Sequence, residues 1–180
     1  MKYLLALLIT TTMNTTPLSF DFGTTRNTCD DWFVVLDGVM GGLSTGSIEQ
    51  TEESIIFRGS VSLENNGGFA SLRTPYQSYD LSGYTIVTVR YKSTGQDFGL
   101  TLNKFKRFWR PNYKINLPIT QGEWKTVTYK LEDFGTYKLG QPMEGHPDKE
   151  DLAEIIRIGL ISNTKAATDF EIEVDKIIFE

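Results

Sequence analysis

From about Phe20 onward, apolar and polar residues alternate at period two in short runs separated by turn formers. The last run is the cleanest: Phe170, Ile172 and Val174 fall on one side, Glu171, Glu173 and Asp175 on the other. Val87, Val89 and Tyr91 alternate with Thr88, Arg90 and Lys92, and Phe98, Leu100 and Leu102 with Gly99, Thr101 and Asn103. Ile55, Phe57, Val61 and Leu63 oppose Arg58, Ser60 and Ser62. Such alternation predicts strands with one buried face, and residues 32–36, 113–117, 124–131 and 155–161 are further candidates. Between them stand Asn65-Asn66-Gly67-Gly68, Ser82-Gly83, Thr94-Gly95-Gln96-Asp97 and Gln121-Gly122-Glu123, all turn chemistry. Only residues 148–154 predict a helix, one or two turns capped by Asp148. Many short strands with one apolar face each hide those faces by pairing two sheets. The expected fold class is all-β, a jelly-roll β-sandwich with at most one or two short helices.

A length of 180 residues suits one core, and the N-terminus differs from the rest. Lys2 is followed by the apolar run Tyr3-Leu4-Leu5-Ala6-Leu7-Leu8-Ile9 and then a Thr/Asn-rich stretch, the layout of a secretory signal. The run is too short to span a bilayer as a helix. We therefore divide the chain into a leader over 1–19, with removal expected between Thr12 and Ser19, and one β-sandwich domain over 20–180. The expected location is periplasmic or extracellular; the alternative is a cytoplasmic protein that keeps its leader. A net charge of −5 argues against nucleic acid and against docking on an anionic membrane.

The one cysteine, Cys29, rules out an intrachain disulfide and reads as a small, semi-buried residue near the first strand. The one histidine, His146, lies between Gly145 and Pro147 with no nucleophile signature near it, so a zinc site or Ser-His-Asp triad is not indicated. Asp30, Asp31 and Asp37 are loop carboxylates, but no spaced calcium loop contains them. No metal and no cofactor are expected.

Two glycine-rich blocks stand out. Asp37-Gly38-Val39-Met40-Gly41-Gly42-Leu43-Ser44-Thr45-Gly46 follows the strand candidate ending at Leu36. Its glycines permit backbone angles closed to other residues and leave N–H groups uncovered, so a ligand or another chain has access. With no following helix and no Lys after the glycines, it is not a phosphate-binding P-loop. The simpler expectation is a tight connection in which Asp37 caps backbone amides and Met40 plugs the core. The second block, residues 63–73, opens with a hairpin-like Asn-Gly signal and continues into a strand placing Phe69, Ser71 and Arg73 on one face. Arg73 there is either stacked and solvent-reaching or the partner of a buried carboxylate such as Asp37. We expect the two blocks to pack side by side with Asp37 and Arg73 close enough to pair directly or through water. The candidate binding residues are Asp37, Gly38, Met40, Gly41, Gly42, Ser44, Asn65, Asn66, Gly67, Gly68, Phe69 and Arg73; there is no catalytic candidate.

Trp32 through Gly46 and Ser62 through Arg73 resemble the two signature blocks of the complex I intermediate-associated protein 30 (CIA30) family almost residue for residue. Weaker echoes fall at Gly122-Glu123-Trp124, Ile158-Gly159-Leu160 and residues 170–177. The resemblance implies a galactose-binding-like jelly roll and a chaperone-like assembly factor that holds partly built respiratory complex I. Two features depart from it. Ala167-Thr168-Asp169 precede Phe170 where the family often has Gly, and the N-terminus is unlike an Arg-rich mitochondrial presequence.

The expected activity is thus non-enzymatic binding, with a protein partner first and an edge strand available for strand addition. The alternative is an exported carbohydrate-binding module. Its main support is Phe105-Lys106-Arg107-Phe108-Trp109-Arg110, which interleaves rings with cations. The simpler expectation for that segment is rings packed into the core and charges in solvent. A carboxylate-driven glycosidase or lyase has no supporting motif.

Overall fold

The computed structural model describes residues 16–23 and 31–180. Most of the expected leader, together with Cys29 and Asp30, lies outside the described residues. Strand β1 begins at Leu18, inside the stretch assigned to the leader.

Two antiparallel sheets pack face to face as a jelly-roll sandwich. The six-stranded sheet runs β3 (Thr45–Gln50), β4 (Ile55–Val61), β13 (Thr168–Phe179), β6 (Ile86–Thr94) and β9 (Lys125–Lys130), with β1 (Leu18–Asp21) pairing on the end of β13. The seven-stranded sheet runs β11 (Gln141–Met143), β10 (Gly135–Lys138), β8 (Asn112–Leu117), β7 (Phe98–Asn103), β12 (Arg157–Ser162), β5 (Ala70–Arg73) and β2 (Phe33–Leu36). The one α-helix among the described residues, α1 (Lys149–Ala153), starts at Asp148 as expected, in a capping box with Asp151. No helix among the described residues is long and apolar enough to cross a membrane.

The period-two residues meet in the middle. Phe57 on β4, Phe170 on β13 and Phe98 on β7 join the sheets, with ring centroids 5.0 Å apart for Phe57–Phe170 and 5.7 Å for Phe98–Phe170. Val87, Val89 and Tyr91 are buried opposite Leu100 and Leu102 in the same core. A bulge between Val174 and Lys176 shifts β13 by one residue. Strict alternation would turn Ile177 and Phe179 outward; the bulge returns both to the core. Two local expectations are corrected. Leu63 does not continue the buried face of β4 but is half exposed, because β4 ends at Val61. The Asn-rich turn does not make a hairpin. It carries left-handed Asn65 and Asn66, closed by Gly67 N–H to Glu64 O at 2.9 Å, but it leads from β4 in one sheet to β5 in the other.

Candidate functional site

Asp37 opens a short 3₁₀ turn (Asp37–Met40) at the end of β2 and is fully buried. Its Oδ1 accepts the Ser44 N–H at 3.0 Å. Its Oδ2 accepts the Ser44 hydroxyl at 2.5 Å, the Gly68 N–H at 2.7 Å and the Phe69 N–H at 3.3 Å. The Ser44 hydroxyl oxygen in turn accepts the Ser62 N–H at 3.0 Å. One carboxylate thus ties the first glycine block to the second. Burial alone would push this carboxyl up, but the Ser44 hydroxyl and the N–H groups of Gly68, Ser44 and Phe69 outweigh it and hold the group below the ordinary aspartate range.

The glycines divide by what surrounds them. A Cβ at Gly42 would collide with the Asp37 carboxylate, and one at Gly67 would sit 2.7 Å from Asp37 Oδ2. Gly41 and Gly68 occupy positive φ, at 89° and 134°. Gly38 has nothing within 4 Å of a Cβ. The expected contact between the blocks and the amide-capping role of Asp37 are present. Two companion expectations are corrected. Met40 is half exposed rather than plugging the core, since the 3₁₀ turn buries Asp37 and swings Met40 outward. Among the described residues no ion pair joins Arg73 to Asp37; Arg73 takes the other expected course, stacked over the Phe69 ring at 6.0 Å, with its Nε donating to Ser71 Oγ at 2.9 Å. The register explains this, because Arg73 and Ser71 point to the outer face of the seven-stranded sheet while Ala70 and Leu72 enter the core.

That outer face is the second feature. Register places Phe33, Arg73, Gly159, Thr101, Lys114 and Gly135 in one row across β2, β5, β12, β7, β8 and β10. Gly99 and Gly159 supply no side chain, and the stems of Lys114 and Arg73 lie over these two positions. Beside this row, Arg157 is buried with its guanidinium 3.3 Å from the Tyr76 ring centroid and 5.1 Å from that of Phe33. Lys114 Nζ lies 4.0 Å from the Tyr137 ring and donates to the Asn163 carboxamide.

The loop between β7 and β8 borders this face, tied to it by the Tyr76 hydroxyl, which donates to Lys106 O at 3.1 Å. Here the burial expected for the rings is overturned. Phe108 is 64% and Trp109 46% exposed, and they hold each other edge to face with centroids 5.2 Å apart. The strands on either side already fill the core, so the loop has no interior to enter. Arg107 stacks on Trp109 at 5.5 Å and Arg110 on Phe105 at 4.2 Å. Sequence reading found this loop but missed Tyr76, Lys114 and Arg157. The available signal was a basic residue at an outward strand position, which means nothing until register shows what stands opposite. His146 is exposed, with Nδ1 3.1 Å from Phe134 O.

Fold and register define a jelly-roll β-sandwich with an aromatic and cationic outer face. The sequence profile of complex I intermediate-associated protein 30 (CIA30) matches residues 20–174, and the chain belongs to that family. No curated protein matches it in sequence. Among solved structures it is similar to a family 11 carbohydrate-binding module from Clostridium thermocellum in complex with a β-1,3-1,4-mixed-linked tetrasaccharide. That pair shares 14% identity over 83% of this chain and 88% of the other, with a TM-score of 0.58. It is also similar to the agarase AgWH50C, at 11% identity over 91% of this chain and 24% of the other, with a TM-score of 0.56. At these identities the likeness is one of fold.

Proposed function

We propose that this CIA30-family chain is a non-catalytic binding module whose ligand is a carbohydrate chain, held by the loop of residues 104–110 and the adjoining outer face of the seven-stranded sheet. The observation that carries the reading is the exposure of Phe108 and Trp109. Two large rings left in water and fixed edge to face offer flat apolar surfaces of the kind that stack on sugar rings. The fold likeness to a module with a bound tetrasaccharide is consistent with this. Residues 104–110 contain no Asp or Glu, so the loop supplies no carboxylate pair for glycoside hydrolysis. Of the glycine-block residues, Phe69 and Arg73 serve this face, while Asp37, Gly42, Ser44, Gly67 and Gly68 hold the scaffold behind it. Export fits a glycan ligand, and we place the end of the leader before Leu18, where β1 begins.

Titration of the full chain against a panel of soluble polysaccharides tests the reading. Binding is expected, with Phe108→Ala and Trp109→Ala each weakening it at least tenfold; variants that bind like the parent would sink the proposed site. Family membership favours a second reading, an assembly factor that holds partly built protein complexes. Mild crosslinking and pull-down, with cell fractionation and N-terminal sequencing, separates the two. A stable protein partner in the compartment where the chain resides supports the second.

A further inference from the structure

The two outer faces of the sandwich treat charge differently. On the six-stranded sheet, Arg90 pairs with Asp175 at 2.7 Å, Lys92 with Glu173 at 2.7 Å, and Arg58 with Glu171 at 3.6 Å. On the seven-stranded sheet, Arg73, Arg157 and Lys114 have no carboxylate partner among the described residues. The chain has 23 acidic side chains against 18 basic ones, so unmatched cations gathered on one face do not follow from composition.

Arg157 is the sharpest case. It is 7% exposed, and its buried Nε–H has no hydrogen-bond partner among the described residues. A buried donor without an acceptor is destabilising, and few native structures keep one without a use. The Tyr76 and Phe33 rings hold the guanidinium, and the Tyr76 side chain is also a hydrogen-bond partner of it, but the Nε–H stays unpaired among the described residues. Burial, and then the neighbouring Arg157 charge, lowers the Arg73 guanidinium; burial, and then Lys165, lowers the Lys114 ammonium. Each of these penalties would be relieved by an anion arriving from solvent. Lys114 and Arg73 stand three strand spacings apart, about 14 Å along the row. Cations set on three strands of one face suit a chain carrying repeated charges.

We infer that Arg73, Arg157 and Lys114 form an anion-recognising row on the outer face of the seven-stranded sheet, and that its ligand is an acidic polysaccharide bearing carboxylates. The inference rests on the carbohydrate reading above and names the chemical class within it. Carboxylate suits the guanidinium fork, which donates two parallel N–H groups. A saccharide is favoured over an acidic polypeptide because Tyr76, Tyr137, Phe108 and Trp109 place ring faces beside or next to the cations.

The test is isothermal titration of the full chain with oligogalacturonate, with its fully methyl-esterified form and with poly-L-glutamate, at low and high sodium chloride. Oligogalacturonate is expected to bind. Esterification, high salt and Arg157→Ala are each expected to weaken binding at least tenfold, with circular dichroism unchanged. If Arg157→Ala fails to fold, Lys114→Ala at the half-buried far end of the row carries the same expectation. Equal affinity for the acid and the ester would overturn the charge inference while leaving the carbohydrate reading standing. Binding of neither sugar would overturn both, and tighter binding of poly-L-glutamate than of either sugar would move the row to an acidic protein partner.

Discussion

Asp37 and Arg157 are both buried charges at the seven-stranded sheet, yet they are provided for in opposite ways. Asp37 has four donors converging on its two oxygens. Arg157 has two aromatic faces and a stranded N–H. A charge satisfied from within is part of the architecture, whereas one left unmatched is available to something from outside. The lesson runs against the order in which the sequence attracts attention. The glycine-rich signature surrounds the satisfied charge, while the unsatisfied one sits in an unremarkable strand.

Substitution at the two charges separates them most strongly. Asp37→Ala strands donors in the core and is expected to cost about 3–5 kcal/mol in chemical denaturation, from the loss of several bonds to a buried charge. Arg157→Ala removes a stacked cation with no ion pair and is expected to cost no more than about 1 kcal/mol. Equal losses would erase the distinction. The glycines sharpen it on a smaller scale. Gly42→Ala drives a methyl into the Asp37 carboxylate and is expected to cost about 1–3 kcal/mol, whereas Gly38→Ala meets open space and should stay within about 0.5 kcal/mol.

The pH response follows from the same carboxylate. Hydrogen bonds hold Asp37 below its unfolded value, so its contribution to stability is complete above an unfolded pKa of about 3.9 and disappears as pH falls through the folded value. The stability gap between the parent and Asp37→Asn is therefore expected to be flat from neutrality to about pH 5 and to shrink in more acidic solution. A gap that widens on acidification would mean that Asp37 is protonated in the native state.

Much of the fold was legible because period-two alternation and the packing of two sheets are the same physical statement. Residues 87–92 and 170–175 read directly as strands with one buried face. What alternation does not carry is an interruption of itself. The bulge after Val174 returns Ile177 and Phe179 to the core, and Met40 turns outward on a short 3₁₀ turn although its side chain suits an interior. The Asp37 node was half legible. A carboxylate among glycines predicts amide capping, but the choice of Ser44 and Gly68 over Arg73 depends on which face of β5 each residue takes. The cationic row was not legible, because Arg73, Lys114 and Arg157 lie on separate strands and only register brings them together.

Ligand is expected to land on the outer face of the seven-stranded sheet and not on the glycine-rich node. Amide chemical-shift mapping with oligogalacturonate tests it most directly. Shifts are expected at Arg73, Lys114, Arg157 and the loop of residues 104–110, with Ser44 and Gly68 unmoved. Shifts concentrated at residues 37–44 and 64–68, with a silent sheet face, would contradict it.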